Sequence, residues 1–248
     1  MNIRRGSEKQ IAVVVYPGIS PLELVGTVSV LSGLGLKTGF RTVTVGQHRA
    51  PVDADTPLKV IPQRAFAEVP HPSALLVPGG GLSTIRAMGD ETLLGYVRAA
   101  AEGAELMASV GAGSLILAAA GLLNGRRATT HWAYRGILEN LGARYAQSRW
   151  VEDGPFVTSG GTSGGIDMAL HLVAQRTNEH SARQVQLWVE YDPQPPFGPI
   201  DRSEKDEDAL TRLLTQQADW QEALGHRPDL LYAVQQALTP AALAGRGS

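Results

Sequence analysis

The chain has 248 residues, a formal net charge of −2, 43% apolar residues and no cysteine. That length can bury the core of one large α/β domain. The nearly balanced charge, with Lys and Arg scattered, argues against a nucleic-acid partner. Without cysteine there is no disulfide, no thiolate metal site and no thiol nucleophile.

The polar start MNIRRGSEKQ lacks the apolar stretch of a signal peptide, so residues 1–10 read as a disordered lead-in. No run approaches the roughly 18 apolar residues a membrane crossing needs. The expectation is therefore a cytoplasmic protein with no membrane partner, consistent with the missing disulfides. Residues 11–17, IAVVVYP, form a continuous apolar run ended by Pro17 and Gly18, which is how a strand buried on both faces of a parallel sheet reads. A helix is expected over 20–34, with Ser20 at the N-cap and Pro21 at its first position. Further strands are expected at Phe40–Val45, Leu58–Pro62, Ala74–Val77 and 104–110, with helices over 90–102 and 114–123. Alternating strands and helices on short loops predict a doubly wound, mostly parallel sheet over residues 11–200. The proline-rich DPQPPFGP at 192–199 breaks the pattern. Beyond it, residues 201–248 contain SEKDEDALTRLL and DLLYAVQQAL, and read as helices packing on the domain or on a dimer partner.

Ligands of such sheets bind beyond the carboxyl ends of the strands. Pro17–Leu24, Pro78–Leu82 and Ser109–Ser114 should converge there. Glu23, between Leu22, Leu24 and Val25, has the surroundings of a carboxyl with a raised pKa, suited to proton transfer; the alternative is a surface glutamate on an amphipathic helix. The PGGG turn at 78–81 lets backbone approach a ligand, so the N–H groups of Gly80, Gly81, Gly111 and Ala112 are candidates for holding a developing negative charge. The alternative is that these glycines serve turn geometry alone. In RRATTHW, residues 126–132, His131 is either a general base or a hydrogen-bonded structural residue. TSGGTSGGIDMALHLV, residues 158–173, places turn glycines before a helix and is a candidate anion site; Asp167 is expected to hold backbone N–H groups near the helix start. Nothing in the spacing calls for a metal or a cofactor.

LELVG (22–26), LLVPGGG (75–81), ASVGAGSLILAAAGLLNGRRATTHWAY (108–134), SGGTSGGIDMALHLVA (159–174) and QVQLWVEYDPQPPF (184–197) together resemble the ThiJ/PfpI superfamily, most closely its isocyanide hydratase-like branch. The resemblance implies a flavodoxin-like α/β fold with helices on both faces of the sheet. It also implies a homodimer with a pocket near the subunit boundary. Members resembling this branch carry a cysteine at the elbow, followed by threonine, where this chain has Gly111 and Ala112. They also carry an acidic residue from the first loop, which Glu23 matches. The thiol route to isocyanide hydration is therefore absent while the acid is kept. Similar domains also form the sensor half of some transcriptional activators.

Two functional expectations follow. The first is a cofactor-free enzyme that uses Glu23, with His131 as a second candidate, for general acid/base chemistry on a small activated organic substrate. Addition, elimination, cyclisation or isomerisation would qualify, and a step in natural-product biosynthesis fits. The second is a non-catalytic small-molecule-binding or regulatory protein; a degenerate paralogue without ligand is a third.

Overall fold

The computed structural model describes residues 9–200, 215 and 217–239. The strands, in chain order, are β1 (Gln10–Val14), β2 (Arg41–Gly46), β3 (Val52–Asp53), β4 (Lys59–Val60), β5 (Arg64–Ala65), β6 (Ala74–Val77), β7 (Leu106–Val110), β8 (Arg127–Ala128), β9 (Arg144–Tyr145), β10 (Trp150–Asp153) and β11 (Phe156–Ser159). The helices are α1 (Pro21–Thr38), α2 (Ser83–Ala87), α3 (Glu91–Ala101), α4 (Gly113–Ala119), α5 (Arg135–Asn140), α6 (Thr162–Arg176), α7 (Glu179–Trp188), α8 (Gln217–Leu224) and α9 (Pro228–Ala237).

Seven strands form the central sheet in the order β10-β11-β7-β6-β1-β2-β5. All neighbours are parallel except β10, which joins β11 as an antiparallel edge hairpin. Strands β1, β6 and β7 lie in the middle, and their apolar runs are buried from end to end apart from Gln10 and Leu106. Helices α1 and α6 pack together on one face, with α7 against them, while α3, α4 and α5 cover the other. This is the doubly wound arrangement that the alternating pattern predicts.

Several boundaries differ from expectation. Helix α1 continues four residues beyond Leu34 and ends at Gly39, whose φ of 73° is the left-handed turn that stops helices. The segment at 58–62 is not a strand of the main sheet: β4 pairs with β3 as a separate antiparallel hairpin. The β10–β11 hairpin carries a two-residue Gly154–Pro155 turn, and with only four residues per strand it gives little periodicity to read. Of the lead-in, residues 1–8 lie outside the described residues, while Gln10 already belongs to β1.

SEKDEDALTRLL also lies outside the described residues. DLLYAVQQAL lies within and beyond α9, which packs on α5, while α8 packs on α2. Trp220, Leu224, Leu230 and Val234 are buried in that seam. His226 Nε2 lies 2.8 Å from the Gly89 carbonyl, and Arg227 pairs with Glu91 and with Asp229. The described part of the tail is thus fastened to the segment that follows the PGGG turn. Among the described residues, no helix is long and apolar enough to cross a membrane.

Candidate active site

Three turns meet at the carboxyl ends of β1, β6 and β7. The N–H of Ser20 donates to the Gly79 carbonyl at 2.8 Å, tying the start of α1 to the PGGG turn. Ser20 occupies the N-cap position and Pro21 follows it, but the serine side chain makes no capping bond. Its hydroxyl engages Asp55 instead, a residue of the β3–β4 connection. That hairpin is itself anchored on the first loop: Gly18 N–H donates to Asp53 O at 2.7 Å, and Asp55 N–H to Ile19 O at 3.1 Å.

Glu23 extends from the first turn of α1 into the space between these turns and is only 6% exposed. Its Oε2 accepts the Gly79 N–H at 2.6 Å, and its Oε1 accepts a longer bond from Thr162 Oγ1 at 3.5 Å. The carboxyl is also where an elbow side chain would have to stand. A Cβ built on Gly111 would lie 2.2 Å from Glu23 Oε1. Gly111 further has φ of 54°, a conformation that favours glycine. The acid and the bare elbow therefore depend on each other.

Burial raises the Glu23 pKa to about 7, opposed by the Gly79 hydrogen bond and aided by the nearby negative charge of Asp55. Of the three neighbours that suggest this burial in sequence, only Leu24 is itself buried. Leu22 and Val25 are 65% and 58% exposed, because successive helical residues point in different directions. The enclosure comes from the turns at 79–81, 111–113 and 160–162.

The expected backbone donors divide in two. Gly80 N–H donates to Thr84 Oγ1 at 2.8 Å, and Gly111 N–H to Ser159 O at 3.1 Å. This corrects their assignment as oxyanion donors, since both N–H groups already have acceptors. The N–H groups of Gly81 and Ala112 have no acceptor among the described residues. Gly80 has a geometric role instead: a Cβ there would lie 2.0 Å from the Gly18 carbonyl, so only glycine lets the two turns touch.

Behind the turn, Tyr16 OH donates to Pro78 O at 3.0 Å and meets Thr84 Oγ1 at 3.0 Å. Because the tyrosine proton is committed to the carbonyl, Thr84 must donate to Tyr16 while accepting from Gly80. On the other side, Thr130 Oγ1 donates to the Gly111 carbonyl at 3.1 Å. The RRATTHW segment thus reaches the elbow through a threonine. His131 caps the 3-10 turn Trp132–Tyr134, its Nδ1 accepting the Ala133 N–H at 3.4 Å, and it makes no hydrogen bond to Glu23. Burial lowers its pKa, so the ring is neutral near pH 7.

Asp167 does not hold the N–H groups at the helix start: it is well inside α6 and pairs with Arg149. Sequence reading also missed Tyr16, Asp55, Thr162 and Tyr134. Their roles depend on contacts between segments far apart in the chain, which periodicity does not register. Among the described residues, no group of three His, Asp or Glu side chains could hold a metal ion. An apolar cavity lined by Leu31, Leu34, Phe40 and Leu75 lies at the amino ends of the strands, away from Glu23.

The profile of the DJ-1/PfpI family matches residues 9–175. The chain belongs to the DJ-1/PfpI family. Isonitrile hydratase from Pseudomonas putida is 40% identical over 189 residues, covering 76% of this chain and 81% of that one. A solved ThiJ/PfpI family protein from Pseudomonas syringae superposes with a TM-score of 0.78 at 31% identity, over 92% of this chain and 91% of its own. The HTH-type transcriptional regulator CdhR from Pseudomonas aeruginosa is 30% identical over 180 residues, 69% of this chain and 52% of the regulator.

Two outcomes are expected. Gly111→Ala should cost about 1–3 kcal/mol in urea unfolding, from the left-handed backbone and displacement of the Glu23 carboxyl; wild-type stability would contradict the fit described. Glu23 takes up its proton more readily in the fold than the ordinary 4.5 of the free group. Its contribution to stability is therefore fully present below pH 4.5 and lost as pH rises to about 7. Glu23→Gln should accordingly be more stable than wild type at pH 8 by up to about 3 kcal/mol, the advantage fading toward pH 4.5. Urea titrations at the two pH values check this.

Proposed function

We propose that this protein is a cofactor-free enzyme in which Glu23 moves a proton on a small, already activated organic substrate. The observation that carries the reading is a buried carboxyl with a pKa near 7, aimed at a bare elbow and beside main-chain N–H groups that have no acceptor among the described residues. A carboxyl titrating near the working pH is present in both protonation states and serves as either acid or base. The N–H groups of Gly81 and Ala112 would hold charge that develops on a substrate oxygen. Thiol addition has no side chain to perform it, so the isonitrile hydratase relative supplies lineage rather than mechanism. Proton transfer and an oxyanion donor contribute roughly 10²–10⁴-fold and 10²–10³-fold, enough for isomerisation, elimination or cyclisation of an activated carbonyl compound.

The reading includes a homodimer in the cytoplasm. Leu22 and Val25 on α1, and Leu187 and Trp188 on α7, are exposed large apolar side chains that favour a protein partner. The regulator match supports a second reading, in which the domain binds a small molecule without changing it.

The probe is 2-tetralone, a benzo-fused ketone with an acidic C–H beside its carbonyl, incubated in D₂O and followed by NMR. The wild-type protein should accelerate deuterium uptake, and Glu23→Gln should lower that acceleration by about 10²-fold or more. Acceleration should fall below pH 7, where the base is protonated. Undiminished exchange by Glu23→Gln removes Glu23 from the mechanism. Stabilisation by 2-tetralone with no exchange favours the binding protein.

A further inference from the structure

The segment after the elbow helix places a second phenol near Glu23. Tyr134 closes the 3-10 turn capped by His131, and 7% of the residue is exposed. Its hydroxyl points to the PGGG turn: a Cβ built on Gly81 would lie 3.7 Å from it. Burial keeps the proton on this phenol, and the Glu23 charge acts in the same direction.

Its situation differs from that of Tyr16 in one decisive way. The Tyr16 hydroxyl is fully engaged by Pro78 and Thr84. The Tyr134 hydroxyl makes no hydrogen bond to any described residue, yet it is not among the sealed, unsatisfied polar atoms, which are Thr27 Oγ1 and Ser109 Oγ. A buried ring whose polar tip stays open needs a partner from outside the chain. That tip stands beside Gly81, whose N–H also has no acceptor among the described residues, and within reach of the Glu23 charge.

The rings of His131 and Trp132 complete the surroundings. The His131 ring centroid is 5.7 Å from that of Tyr134 and 5.5 Å from that of Trp132, both tilted. Trp132 is 43% exposed, so the group offers apolar ring area at the surface beside the phenol. A neutral imidazole and an indole favour flat, unsaturated ligands.

We infer that Tyr134 is a substrate-contacting residue whose hydroxyl donates a hydrogen bond to the carbonyl oxygen of a flat, conjugated or aromatic ketone, while Glu23 handles the proton beside that carbonyl. The inference rests on the acid/base reading above and narrows its substrate class. The Glu23 carboxylate takes a proton from the carbon next to the carbonyl. The C–H electron pair moves into the new C=C bond, and the carbonyl π pair moves onto oxygen. Tyr134 and the Gly81 N–H hold the resulting enolate oxygen, the tyrosine keeping its proton throughout. Once the Glu23 carboxyl has exchanged its proton with D₂O it delivers a deuteron to the same carbon, giving exchange; delivery to a conjugated carbon instead gives an isomer. No oxidant, reductant or second substrate is consumed.

The test uses Tyr134→Phe in the full chain, with 2-naphthol as a flat mimic of the 2-tetralone enolate. Binding is read by fluorescence and deuterium exchange by NMR. Because the hydroxyl has no partner among the described residues, melting should be unchanged, whereas Tyr16→Phe, which breaks a closed network, should melt lower. Tyr134→Phe should weaken 2-naphthol binding by about tenfold and slow 2-tetralone exchange by about 10²-fold. Glu23→Gln should lose exchange but keep 2-naphthol binding within about threefold, because its amide replaces the neutral acid without removing Tyr134. If Tyr134→Phe binds and exchanges as wild type does while Glu23→Gln loses exchange, the role of Tyr134 is overturned and the acid/base reading stands. If both variants exchange as wild type does, that reading falls and takes this one with it. Failure of the wild type to bind 2-naphthol overturns the substrate class, and a lower melting temperature for Tyr134→Phe shows the hydroxyl to be structural.

Discussion

One contact organises the carboxyl end of the sheet: the 2.6 Å hydrogen bond from Gly79 N–H to the buried Glu23 carboxyl. A carboxyl away from water needs a donor, or it stays protonated. Gly79 supplies one strong donor and Thr162 a weaker one, which leaves the group balanced near neutrality instead of locked in either state. The bond also joins α1 to the turn after β6, so chemistry and architecture share it. The elbow completes the balance by contributing nothing. With no Cβ on Gly111, the carboxyl occupies volume that a side chain would contest.

Around this contact the polar side chains follow two patterns. Tyr16, Thr84 and Thr130 bond to backbone at Pro78, Gly80 and Gly111 respectively, and Tyr16 and Thr84 also bond to each other. They set the positions of the turns. Among the described residues, the Tyr134 hydroxyl and the Gly81 and Ala112 N–H groups have no partner. A site with both kinds of group is rigid where it must hold geometry and unsatisfied where a ligand would arrive.

The sheet was largely legible because its central strands are short apolar runs ended by proline and glycine. Ala74–Val77 has the expected bounds, since the run and its PGGG stop coincide with the end of pairing. The end of α1 was harder to see, because Gly35, Leu36 and Lys37 continue the helix and only the left-handed Gly39 stops it. At the site, Glu23 is legible from its place after β1, but the cause of its burial is not. Its sequence neighbours Leu22 and Val25 face outward, and the covering groups come from positions 79, 111 and 162. His131 drew attention as the titratable residue of its segment, although Thr130 and Tyr134 make the contacts toward the elbow and the glycine turn. Hydroxyl residues carry no periodic signal, so only the fold singles them out.

The β3–β4 hairpin stands apart from the central sheet, yet it leans on the first loop through Gly18, Ile19 and Ser20. Val52 and Val60 of its two strands pack against the core, and the connection between them brings Asp55 to the first loop. A change of charge at position 55 would therefore retune how readily the neighbouring acid releases its proton, without touching the acid itself.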